Sequence, residues 1–84
     1  MYRVETDHEA LAEVEALPRG ALGAYAEVIS LLEIAPWSGD SYNRARPDGT
    51  MRTVAFGDEL QGLVVYLVLD DQLLVVVLRV VWLQ

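Results

Sequence analysis

The sequence predicts one small α+β domain of 84 residues: an N-terminal strand, an antiparallel helix hairpin, then three antiparallel strands, with the helices covering one sheet face. Three observations carry this. Apolar residues recur at helical spacing between Leu11 and Leu32. Valine-rich runs fill the chain from Met51 onward. An irregular stretch, Pro36 to Thr50, separates the two patterns.

In Met1 to Glu5, Tyr2 and Val4 alternate with Arg3 and Glu5, which predicts a short first strand. Thr6-Asp7-His8-Glu9 has the form of a capping box with Thr6 as N-cap, and acids in a first turn suit the helix dipole. Leu11, Val14 and Leu17 form the inward stripe of this helix, and Pro18-Arg19-Gly20 ends it. A second helix over 21–35 presents Leu22, Tyr25, Ala26, Ile29 and Leu32, and Pro36 stops it. The hairpin is expected to cover the sheet through Leu11, Val14, Leu22, Tyr25, Ile29 and Leu32.

The stretch PWSGDSYNRARPDGT reads as an ordered loop, because Trp37 and Tyr42 are residues that disordered segments seldom hold. Arg46-Pro47-Asp48-Gly49 fits a type I turn. MRTVAF, LVVYLVL and LLVVVLRVVWL are the second, third and fourth strands, with turns at 57–62 and at Asp70-Asp71. The late apolar runs are too short for a membrane span of roughly 20 residues, and Asp70, Asp71 and Arg79 interrupt them. The third and fourth strands are apolar on both faces, yet the hairpin covers one. A homodimer contact or another protein is expected on the other.

Composition narrows the function. The net charge of −7 argues against broad attraction to nucleic acid or anionic membrane. Residues 1–35 carry seven acids and two arginines, 36–56 two acids and three arginines, and 57–84 four acids and one arginine. The single basic segment therefore runs from Arg44 through Arg46 to Arg52. There is no cysteine, which removes disulfides and thiolate metal sites and points to a reducing cytoplasm. The N-terminus lacks the layout of a signal peptide. No metal-ligand spacing, phosphate-binding glycine loop or nucleophile motif occurs, so no cofactor is expected.

His8 reads as a solvated surface residue. Arg52 and Arg79 sit inside apolar strands, where an unpaired charge is costly. Either they snorkel or pair with an acid such as Glu5 or Asp70, or they bind an anion. Tyr66 fits a core aromatic, and Trp37 and Tyr42 fit loop anchors or base-stacking platforms. Strand parity places Arg52 with Val54 and Phe56, and Arg79 with Val75, Val77 and Val81. If both arginines face the open side, they converge on one phosphate. If they do not, a protein-binding module gains.

The order of elements, together with PWSGDSYNRARPDGTMR, YLVLDDQ and VLRVVWL, resembles the RelE/ParE toxin superfamily over the whole chain, in particular small actinobacterial RelE-like proteins. The resemblance implies the toxin of a type II toxin–antitoxin module, a cognate antitoxin as partner, and metal-independent cleavage of messenger RNA on the ribosome. A gyrase inhibitor of ParE type and a non-catalytic interaction module are the alternatives. It implies Arg52, Arg79 and Tyr66 as the catalytic set, and Arg44, Arg46, Trp37 and Tyr42 as RNA contacts. The sequence departs from the family at Leu63 and Val65, where a third-strand arginine is expected. It also departs at Gln84, where a further basic or tyrosine-bearing segment is expected to follow.

Overall fold

The computed structural model describes residues 1–83. Its elements are β1 (Arg3–Thr6), α1 (His8–Glu15), α2 (Leu22–Ile34), β2 (Asp40–Ser41), β3 (Met51–Phe56), β4 (Gly62–Leu69) and β5 (Leu74–Trp82). The sheet runs β1-β5-β4-β3-β2. β1 lies parallel to β5, and every other pairing is antiparallel. The α+β hairpin-and-sheet layout therefore stands. The two-residue β2 is an addition: it forms inside the stretch read as loop, where Asp40 and Ser41 pair with Thr53 and Arg52.

The first helix is capped one residue later than expected. Thr6 is drawn into β1 opposite Val77, so Asp7 becomes the N-cap and accepts the Glu9 N–H at 3.3 Å. Sheet pairing outbids the local capping box here, because Thr6 already has a strand neighbour for its backbone.

Helix rotation also differs. Leu11 and Leu22 are 47% and 45% exposed, while Ala10, Leu17, Ala21, Tyr25, Val28 and Leu32 are buried against the sheet. Val14 and Ile29 pack at the margin of this core. Alanine at positions 10 and 21 lets the helix backbones approach the sheet closely, which the spacing of larger residues concealed. On the sheet side the core is completed by Phe56, Val64, Tyr66, Val68, Val75, Val77 and Val80. Tyr25 meets Phe56 edge-on at 5.8 Å, and Phe56 in turn leans on Trp82 at 5.6 Å.

A β-bulge decides which face each late residue occupies. Tyr66 pairs with Val77, but its neighbour Val65 pairs with Arg79, so Leu78 is the extra residue. Val75 and Val77 face the helices, and beyond the bulge Val80 and Trp82 do so. Arg79 and Val81 therefore point to the open face. Simple parity grouped Arg79 with Val75 and Val77, and the bulge overturns that grouping.

On the open face Val65 and Leu74 are buried, while Leu67, Leu69, Val76, Leu78 and Val81 are half-buried and Leu63 and Met51 more exposed. This face is mostly leucine, since the valines concentrate under the helices. No helix of the described residues is long and apolar enough to cross a membrane.

Candidate functional site: the arginines, the loop and the open face

Arg52 is the one buried charged residue among the described residues, 8% exposed. Its register partners are Ser41 and Tyr66, which puts it on the helix side. Nε and Nη2 donate to the Gly39 carbonyl at 3.2 and 2.7 Å, and Nη1 donates to Gly49 and Pro47 carbonyls at 3.0 and 3.3 Å. The guanidinium also covers the Trp37 ring at 5.1 Å. Among the described residues no acid pairs with it. Three carbonyls from the two arms of the 36–50 segment do the work of a counter-ion. Arg52 is a clamp on that segment.

Tyr66 is fully buried beside it, and its hydroxyl donates to the Pro36 carbonyl at 2.6 Å. Burial pushes its phenol up, only partly offset by Arg52, so it stays a neutral donor. Gly39 fits between them because a β-carbon there would run into the Tyr66 hydroxyl and the Thr53 carbonyl.

Arg79 lies on the other face and is tied elsewhere. Its Nε donates to both carboxylate oxygens of Glu13, at 3.2 and 3.0 Å, and its Nη2 to Oε2 at 2.8 Å. Glu13 Oε1 also accepts the Val80 N–H at 2.8 Å. The Arg79 hydrogen bond holds the Glu13 carboxyl below the usual carboxylate range. Neither Glu5 nor Asp70 is the partner. Nothing in the sequence singled out Glu13, whose spacing reads as a solvated helix face.

Arg52 and Tyr66 therefore come together, while Arg79 does not join them. The two guanidinium groups lie on opposite faces, so the condition for their converging on one phosphate is not met, and this is the arrangement under which a protein-binding module gains.

Trp37 is also committed. Its indole N–H donates to Asp70 Oδ1 at 3.0 Å, and the Tyr2 hydroxyl donates to the same oxygen at 2.6 Å. The loop anchor reading fits it, and base stacking on its Arg52-covered face does not. Tyr42 is 57% exposed, and its hydroxyl has no hydrogen-bond partner among the described residues. Its N–H bonds the Met51 carbonyl, which continues the strand alternation and sends its ring to the open side. Arg44 and Arg46 are exposed, with no ion pair among the described residues.

The expected turn closes with the Gly49 N–H on the Arg46 carbonyl at 2.9 Å, and Ser41 Oγ contacts the Asn43 and Arg46 carbonyls at 2.8 and 2.5 Å. An open hollow of about 550 Å³ lies between Asp40, Ser41, Arg44, Pro47 and Thr53. Of the residues with anion-binding chemistry, Tyr42, Arg44 and Arg79 thus border the open face.

Two carboxylates give a pH signature. Asp70 is held low by the Tyr2 and then the Trp37 hydrogen bonds, and Glu13 by Arg79. Both values are lower folded than unfolded, so their stabilisation is complete above the ordinary carboxylate pKa of about 4 and lost as pH falls through the lowered folded values. Melting followed by circular dichroism is expected to be flat from neutral pH to about 5 and to drop below about 4. Asp70→Asn is expected to flatten part of that drop.

No family model matches the chain, and no curated protein matches it by sequence. Solved structures do. The isolated E. coli RelE toxin superposes with TM-score 0.76 at 17% identity, over 100% of this chain and 86% of that one. A chain of the intact E. coli RelBE toxin–antitoxin complex gives 0.77 at 19% identity, covering 100% and 99%. A chain of the archaeal RelE–RelB complex from Pyrococcus horikoshii gives 0.65 at 17%, covering 96% and 93%.

This chain has the RelE fold. At these identities the likeness is one of architecture, and it spans 96–100% of this chain. Within the RelE fold of this chain, the bare face carries Tyr42 and Arg79, and the helix side carries Arg52 and Tyr66.

Proposed function

We propose that this chain is the toxin component of a type II toxin–antitoxin pair of RelE type. In this reading a cognate antitoxin covers the open sheet face, and release exposes that face to messenger RNA on the ribosome. The observation that carries it is the RelE fold over the full chain, matched also by chains from toxin–antitoxin complexes. The apolar open face supports an obligate protein partner. Tyr42, Arg44 and Arg79 border that face and are the residues to contact RNA there, with Arg46 on the adjoining loop. Arg52 and Tyr66 hold the loop from beneath and act as positioning residues.

A non-catalytic interaction module is the second reading. It is favoured by the separation of Arg52 from Arg79, by the Glu13 pair that neutralises Arg79, and by the net charge of −7. Growth separates the two. Induction in a host lacking the antitoxin is expected to arrest growth, and co-expression of a small protein from the neighbouring reading frame is expected to restore it. Unimpaired growth with confirmed soluble protein would favour the module.

A further inference from the structure

The open sheet face is not the sole unpartnered surface. β1 stops at Thr6, opposite Val77, whereas β4 accompanies β5 to Trp82. Among the described residues, the last residues of β5 therefore have a strand on one side only. The Leu83 N–H bonds the Gln61 carbonyl, and the Val80 N–H bonds Glu13. In an antiparallel ladder, alternate residues turn both N–H and C=O to the same side. The Val80 carbonyl and the Trp82 N–H and carbonyl thus point away from β4, along the line that β1 has vacated.

Glu13 treats this edge as a strand would. Its Oε1 lies 2.8 Å from the Val80 nitrogen, the place of a neighbouring strand's carbonyl oxygen. Beneath it a groove of about 380 Å³ is lined by Glu13, Ala16, Leu17, Pro18, Val80 and Trp82. The groove is apolar in its floor and carboxylate at its rim. Arg79 remains bonded through Glu13 Oε2 if Oε1 leaves Val80.

We infer that this edge is a docking site for one extended basic segment of a partner chain, which extends the sheet beyond β1. The segment displaces Glu13 Oε1 from Val80, pairs with the Val80 and Trp82 backbones, places an apolar side chain in the groove and offers a cation to the freed carboxylate. Charge complementarity selects a basic occupant: Glu13 lines this edge, Glu9 lies one helical turn before it on the same side of α1, and the chain as a whole carries −7. The assignment of the segment to an antitoxin rests on the reading above; the site itself stands on the edge geometry.

The test uses the full chain, isotopically labelled, with a synthetic acetylated peptide of roughly six residues alternating lysine and valine. Its controls are the same peptide with glutamate for lysine, and one N-methylated on alternate amides. Expected are saturable shifts of the Val80 and Trp82 amides and slowed exchange of the Trp82 N–H, with a dissociation constant on the order of 1 mM or tighter. Binding should weaken at least about tenfold for the glutamate and N-methylated peptides, and for the lysine peptide with Glu13→Lys. Shifts confined to the open face or to β2, equal binding of the glutamate peptide, or no shift with folded protein would overturn the inference. Concentration-dependent shifts of the same amides without peptide would also overturn it, by assigning the edge to a second copy. None of these outcomes bears on whether an antitoxin covers the open face, which co-purification reads separately.

Discussion

Arg52→Ala is expected to cost on the order of 3–5 kcal/mol of folding stability and to disorder the 36–50 segment. The side chain makes four hydrogen bonds to the carbonyls of Gly39, Pro47 and Gly49 and covers Trp37. Truncation strips three acceptors of their donor at once, and no neighbouring side chain replaces it. The Trp37 indole should lose its dispersion in the proton spectrum as the loop loosens. Lysine at the same position offers one compact charge in place of a planar fork and is expected to recover only part of the loss. An alanine variant that melts like the wild type would remove the clamp from the account. A consequence follows for functional work: loss of activity in an Arg52 variant reads as loss of the loop, so it does not locate catalysis.

The second large effect concerns the open face. Leu67 sits at its centre, opposite Met51 on one side and Val76 on the other. Leu67→Asp leaves the helix-side core of Val64, Tyr66 and Val68 untouched. It places a charge where a covering antitoxin would desolvate it. Affinity for the antitoxin is expected to fall on the order of 100-fold, about 2.7 kcal/mol, by titration calorimetry, with the circular dichroism spectrum unchanged. Unchanged affinity would place the antitoxin elsewhere on the molecule.

Much of the fold was legible because hydrophobic period and turn chemistry act locally. The hairpin, the Arg46–Gly49 turn and the three valine-rich strands all follow from such signals. What the sequence concealed depends on long-range geometry. The bulge at Leu78 has no glycine or proline to announce it, yet it reverses the face of Arg79 and with it the expected site. Alanines 10 and 21 carry weak hydrophobic signals, so the burial of Ala10 and Ala21 in place of Leu11 and Leu22 was invisible to a stripe of larger residues.

Glu13 and Asp70 matter through partners distant in sequence, Arg79 and the pair Tyr2 and Trp37. Arg52 and Arg79 were identified as strand cations needing an explanation. Each found a different one: backbone carbonyls for the first, a helix carboxylate for the second.

The proposed RNA-directed toxin would work through the open face rather than through the buried Arg52 and Tyr66. The most direct measurement maps messenger RNA 5′ ends on ribosomes after induction of the wild type, Arg79→Ala and Tyr42→Phe, each confirmed soluble and folded. The account predicts breaks within ribosome-bound codons for the wild type, reduced at least about tenfold in both variants. Intact transcripts with wild-type protein, or cleavage undiminished in both variants, would contradict it.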